Sequence, residues 1–250
     1  MNVSLYQAAA ALNANSRWQE VIAENMASSS IPGFRKQEIS QAAVQSGLMP
    51  AGSLSNSKSP QYFSMPKATT TTSFTSGDLQ NTGDNNNVGI EGKGFFQVRL
   101  PNGTIASTRD GEFQLNAKGT LVTNQGYPVM GADGPIQLTP AGAGPLTIAA
   151  DGTVSQGSET KGKLKLVDFK KPELLTQISG AYFLANDPKL QPQPATGTLR
   201  QGFLEGANTT AVGEMVNMMT SMRAFEANEK VIQIQDDRLS KVITELGATT

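Results

Sequence analysis

The chain has 250 residues, room for one large domain or two smaller ones, and its 20 Lys and Arg against 21 Asp and Glu leave a net charge of −1. That balance provides no basic surface for nucleic acid or for an anionic membrane. The chain has no Cys and no His, which excludes disulfides and thiolate chemistry and removes the commonest general base and metal ligand, so no metal or cofactor is expected.

Charged residues make up only 16% of the chain, and Asn, Gln, Ser, Thr and Gly take their place. Such a composition suits a β-rich protein, or a surface covered by copies of itself. No apolar run approaches the roughly 20 residues of a membrane span, so membrane insertion is not expected. The first twenty residues have neither a basic start nor an unbroken apolar stretch, so no secretory signal is expected.

Residues 3–28 have a helical pattern, rich in Ala, with Leu5, Leu12, Trp18, Val21, Ile22 and Met26 on one stripe. Ser28-Ser29-Ser30 and Pro32-Gly33 stop it. Residues 36–87, rich in Ser, Thr, Gln and Asn, are expected to form an extended connector with little core of its own.

From residue 88 to about 203 the pattern changes. Turn pairs recur at Asn102-Gly103, Asp110-Gly111, Lys118-Gly119, Asp133-Gly134 and Asp151-Gly152, separated by short β-type runs such as Phe113-Gln114-Leu115. This predicts an antiparallel, hairpin-connected β domain. At its start, Gly89-Ile90-Glu91-Gly92-Lys93-Gly94-Phe95-Phe96 invites comparison with a phosphate-binding loop. Such a loop needs a helix after its glycines, but here a strand pattern follows, with no Ser or Thr after Lys93. Gly89, Gly92 and Gly94 are therefore expected to form a strand corner that places Phe95 and Phe96 on opposite faces.

Residues 204–247 predict a second, longer helix opening near Asn208-Thr209-Thr210. Steps of four and three from Ala211 give Met215, Met218, Met222, Phe225, Glu229, Ile232, Asp236, Leu239, Ile243 and Leu246. This is a coiled-coil seam broken at Glu229 and Asp236, with Gly247 placed as a stop. Either both terminal helices complete the core of the β domain, or they seek other helices. One narrow seam on a long helix gains little when unpartnered, which favours the second: an α+β chain whose terminal segments, 1–35 and 204–250, form a coiled-coil assembly domain around an inserted all-β domain.

Five stretches resemble the bacterial flagellar basal-body rod and hook family. Ile22-Ala23-Glu24-Asn25-Met26-Ala27 with Pro32-Gly33-Phe34-Arg35 is similar to its "IANNLANxxTxGFK" element. Ser76 to Gly83 resembles "GxLxxTG", Gly89 to Val98 "AIxGxGFFxV", and Ser107 to Gly131 the centre of its β domain. Gly202 to Ile232 is similar to "LExSNVxxxxEMxxMIxxxRxFExxxKxI". Two departures stand out: Glu24 replaces the first signature Asn, and Asn86-Asn87 replaces an apolar–Asp pair, which is expected to loosen the opening strand of the β domain.

The resemblance implies a structural subunit without enzymatic activity, located in the basal body, whose partners are copies of itself and other rod and hook subunits. It implies export by the flagellar type III apparatus without a cleaved signal, and an assembly role for Asn25 and for the seam residues. Gly144 to Phe169 looks most like the proximal-rod branch, with the distal-rod branch next and the hook less so; a non-flagellar filament component is the remaining filament alternative. The rival class, a hydrolase with paired carboxylates, would have to draw on Asp110, Glu112, Asp133 and Asp151. Most of these sit in Asp-Gly turns, where no buried acid is expected.

Overall fold

The computed structural model describes residues 3–48, 62–139 and 144–247. Helix α1 (Val3–Ala27) leads into two long strands, β1 (Gln37–Leu48) and β2 (Tyr62–Thr72), and a short β3 (Leu79–Asn81). There follow β4 (Val88–Glu91), β5 (Phe95–Arg99), β6 (Ile105–Thr108), β7 (Phe113–Leu115) and β8 (Leu121–Thr123). Next are β9 (Leu146–Ile148), β10 (Thr153–Gln156), β11 (Glu159–Lys163) and β12 (Leu166–Asp168). The chain closes with β13 (Thr176–Ser179), β14 (Tyr182–Leu184), β15 (Gln193–Pro194), β16 (Thr198–Gln201), β17 (Phe203–Glu205) and helix α2 (Ala211–Gly247).

The chain divides into two compact units. One contains α1, α2 and the paired strands β1 and β2; the other contains residues 27–36 and 72–210. Two expectations need correcting here. Residues 36–87 are not simply an extended connector, because β1 and β2 pair into a two-stranded ribbon. Its pairing is antiparallel: Ser73 N–H donates to the Lys36 carbonyl at 2.9 Å, and farther along Thr69 Oγ1 donates to the Ser40 carbonyl at 3.3 Å. A run of β-branched residues, Thr69 to Thr72, suits such a ribbon, but its polarity hides it from a search for apolar alternation. The second helix begins at Ala211, directly after the expected opening at Asn208-Thr209-Thr210, while residues 204 and 205 belong to a strand, Phe203–Glu205, paired with β3; Gly247 is its last helical residue rather than the stop beyond it.

In the β unit six strands form an antiparallel sheet in the order β13-β14-β6-β5-β12-β15. Strand β5 is central, and four of its five residues are buried. Phe96 and Val98 point into the main core with Val88, Ile90, Phe113 and Leu121, whereas Phe95 points into a second core with Val167, Phe169 and Phe183. Phe95 and Phe96 thus lie on opposite faces, as adjacent residues of a strand must. Edge-to-face ring packing lines both cores, with Phe96 and Phe113 centroids 5.1 Å apart and Phe95 and Phe183 centroids 6.1 Å apart.

The corner before β5 explains its glycines. Gly92 and Gly94 hold φ of +98° and +143°, conformations that side chains resist. At Gly89 a Cβ would press on the Leu79 side chain. Asn87 does not loosen the strand that follows. It is buried, its Nδ2 donates to Thr82 Oγ1 at 2.9 Å, and its carbonyl accepts from Gly202 N–H at 2.8 Å.

Phe96 has no exposed surface, so Phe96→Ala is expected to lower the stability of the β unit by roughly 3–5 kcal/mol. Ile178, 47% exposed on edge strand β13, is expected to tolerate Ala within about 0.5 kcal/mol. Urea unfolding followed by the β-sheet circular dichroism signal compares the two.

Candidate functional site

Three arrangements could carry function: the surfaces of the two helices, the polar contacts that anchor the chain around them, and the buried acids of the β domain.

Along α1, Ala8, Asn15, Ile22 and Asn25 are buried, with Ala11 and Trp18 partly covered between them. Their steps of three and four are those of a coiled-coil seam. On α2 the covered residues that follow the same steps are Glu214, Met218, Ser221, Phe225, Asn228, Ile232 and Gln235, with Glu214 and Ser221 fully buried. The covered line and the expected seam share only part of their residues. Met218, Phe225 and Ile232 are on both, but Met215, Met222, Glu229 and Asp236 are exposed, and so is Ile243. The two acids that break the expected seam lie off the covered line. The covered line alternates large apolar side chains with polar ones, a pattern that a count of hydrophobic residues misses. The side chains of Leu5, Leu239 and Leu246 lie outside the described residues; Leu12 and Met26 are partly covered.

A second face of α2 remains bare. Val212, Met215, Val216, Met219 and Met222 fall within three turns and are 73%, 54%, 53%, 53% and 53% exposed. Adjacent apolar side chains of this size are a costly surface to leave in water.

At the end of α1, Asn25 acts as an amide clamp. Its Nδ2 donates to the Gln37 carbonyl at 2.8 Å, and its Oδ1 accepts from Gln37 N–H at 2.9 Å. One side chain thereby satisfies both backbone groups of the first ribbon residue. Glu24, at the altered signature position, is exposed.

In the β unit a buried ionic cluster holds the turn at residues 31–35. Glu205 Oε1 lies 2.6 Å from Arg35 Nη2 and Oε2 lies 3.1 Å from Arg109 Nη1, with Arg35 and Glu205 1% exposed and Arg109 5%. Gly77 N–H also donates to Oε1 at 2.9 Å, and Gly33 N–H donates to the Glu205 backbone carbonyl at 2.7 Å. Arg109 donates further to the carbonyls of Ile90 and Gly92, and its guanidinium carbon sits 5.4 Å from the centre of the Phe95 ring. Burial lowers the Arg109 pKa from its ordinary value, against the attraction of Glu205. Gly33 has φ of +68°, and a Cβ there would strike the Arg109 backbone. Phe34 has no exposed surface and Pro32 is partly covered.

Asn208 completes the attachment. Its Oδ1 accepts from Lys36 N–H at 2.7 Å, and its Nδ2 donates to the carbonyls of Ser73 and Thr75 at 2.9 and 3.1 Å. Sequence reasoning singled out Pro32, Gly33 and Phe34 but missed Arg35, Arg109, Glu205 and Asn208. All four lie inside the quoted motifs, so the signal was present without a reason to prefer those positions.

The carboxylates behave differently from expectation in one place. Asp110 is buried, and desolvation raises its pKa to about 6, despite an opposing hydrogen bond from Glu112 N–H. Asp151 is in an exposed turn, where bonds from Thr153 hold its pKa down. A raised acid is one half of a hydrolytic pair, but Asp110 accepts from the backbone of its own turn. Among the described residues no group of three or more His, Cys, Asp or Glu is placed to hold a metal, and no helix is long and apolar enough to cross a membrane.

Residues 89–156 match the family described as flagellar hook protein FlgE/F/G D1 domain, and residues 200–245 match the flagellar basal body rod FlgEFG protein C-terminal family. The flagellar basal-body rod protein FlgG of Buchnera aphidicola subsp. Acyrthosiphon pisum is 33% identical to the chain, over 96% of the chain and 98% of that protein. The chain belongs to the flagellar rod and hook family. FlgF of Escherichia coli K12 is 34% identical over 96% of the chain and 97% of its own length, and FlgF of Caulobacter vibrioides 33% over 91% of each. The chain is thus a flagellar basal-body rod subunit of the FlgF and FlgG kind. These relatives are named flagellar basal-body rod proteins.

Two changes probe the site. Glu205→Gln leaves two buried arginines without their counter-charge and is expected to cost about 3–5 kcal/mol, read as a lowered urea midpoint. Asp110 acts in the opposite direction. The folded state holds the proton more tightly than the unfolded chain, so stability falls as pH rises from 3.8 through about 6. Asp110→Asn is expected to recover up to roughly 3 kcal/mol at pH 7 and to flatten that decline. A stability–pH profile parallel to wild type would show that the acid is not strained.

Proposed function

We propose that the chain builds a segment of the flagellar drive shaft by self-assembly and passes torque from motor to hook. In this reading the covered stripes of α1 and α2 face one another as a coiled coil, and the terminal segments line the axis of the shaft. Residues 36–87 span between the terminal helices and the β domain, which lies outside and sets the spacing of neighbours. The bare apolar face of α2 carries the proposal. Five large side chains, each more than half exposed, gain their burial only when a neighbouring subunit covers them. Four methionines among residues 215–222 provide a pliable surface that can repack against non-identical neighbours.

Export through the flagellar type III apparatus without a cleaved signal fits a chain with no disulfide to reduce before threading. Among the branches of the family we favour the proximal rod, on the sequence of Gly144 to Phe169 at the end of the β domain. The distal rod is the second reading, supported by Thr123 to Val129.

Because Met215 and Met222 are exposed, replacing both by Asp is expected to change the stability of the isolated chain by less than about 0.5 kcal/mol. The same pair is expected to abolish incorporation into rods in cells that lack the wild-type chain. Normal rods and swimming would overturn the proposal. Antibody labelling of purified basal bodies, viewed by electron microscopy, then places the wild-type subunit: axial label near the motor ring supports the proximal rod, label near the hook the distal.

A further inference from the structure

The β unit contains a concavity of about 380 Å³ between the turn after β12, the loop after β14 and edge strand β15. Lys170, Lys171 and Lys189 line it, with Leu174 and Leu190 supplying apolar surface. We propose that this concavity docks an acidic segment of a partner polypeptide, one that presents carboxylates beside an aliphatic side chain.

Charge is the first argument. In a chain of net charge −1, three amines meet at one hollow, and among the described residues none of them has a carboxylate in ion-pairing distance. Of the other lysines in the same unit, Lys161 lies 2.6 Å from Glu159 and Lys163 lies 3.4 Å from Asp151, whereas Lys93, Lys118 and Lys165 stand apart from one another in the sequence and do not share a hollow with these three. The one acid in the hollow, Asp187, is turned to its own backbone, where Oδ1 accepts from Lys189 N–H at 2.9 Å and the carbonyl accepts from Leu190 N–H at 2.9 Å. It fixes the loop that presents Lys189 and Leu190. On the opposite rim, Leu174 N–H donates to the Lys171 carbonyl at 3.2 Å, so that side is also held by its backbone.

The apolar surface decides the class of ligand. Leu174 is 48% exposed inside a positively charged hollow. A small inorganic anion would engage the amines and leave that side chain in water. A peptide with an aliphatic residue next to its acids covers both. Recognition through side chains is favoured over strand addition, because β15 has two residues and one is Pro194, which lacks an N–H to donate.

The test is a titration of the isotope-labelled 250-residue chain, read by amide chemical shifts. The probes are acetyl-Asp-Leu-Glu-Glu-Leu-amide, its Asn/Gln counterpart, and inorganic phosphate. The expected result is saturable shifts confined to residues 168–193 with the acidic peptide alone, weakened at least tenfold at about 0.5 M salt. The Lys170→Gln/Lys171→Gln/Lys189→Gln variant, altered only at exposed positions, is expected to keep its spectrum elsewhere and to bind at least tenfold more weakly. Equal binding of the neutral peptide, shifts centred elsewhere, or no saturation by about 5 mM would overturn the proposal. So would displacement of the peptide by phosphate at matching concentration, which would mark a simple anion site.

Discussion

The β unit depends on a single carboxylate. Glu205 is held between Arg35 and Arg109, and its second role, as acceptor for Gly77, fixes a third segment. A buried ion pair is a poor source of stability in its own right, because desolvation offsets much of its attraction. What it does is join segments: Arg35, Gly77 and Arg109 all bond to this one side chain. Three segments far apart in the chain meet where one anion faces two cations, while Arg35 Nε and Nη1 and Arg109 Nε are buried without a hydrogen-bond partner among the described residues.

The conformational demands around it follow. Gly33 must be glycine because its φ is positive and because the Arg109 backbone passes where a side chain would be. Gly77 is under the same pressure, since a Cβ there would run into the Gly206 carbonyl. Asn208 reinforces the junction by bonding to residues on two other segments. The family signatures at residues 32–35, 76–83 and 202–208 are therefore parts of one structural joint, although they look like three separate motifs.

Much of the architecture was legible in the sequence. The helical stripes, the turn-punctuated β domain and the phenylalanine pair of β5 all follow from periodicity and turn chemistry. The ribbon of β1 and β2 was not, because its strands are built largely of Ser, Thr, Gln and Ala and carry no alternating apolar face. The covered line of α2 was hidden for a related reason. It includes Glu214, Ser221, Asn228 and Gln235, and a search for hydrophobic residues passes over polar groups placed on a contact line. Burial of Asp110 was equally hidden, since an Asp-Gly pair is normally a solvated turn. The ionic joint was unreadable because charge pairing between residues 35, 109 and 205 depends on the fold that brings them together.

The separation between Arg35 and Glu205, 170 positions along the chain, also bears on timing. A contact that distant closes a very large loop, and its entropic cost is met only once the sheet between them has formed. Synthesis runs from the amino end, so Arg35 exists long before the residue that neutralises it. A chain without residue 205 holds Arg35 and Arg109 with no carboxylate between them, a burial cost that opposes closure of the β unit.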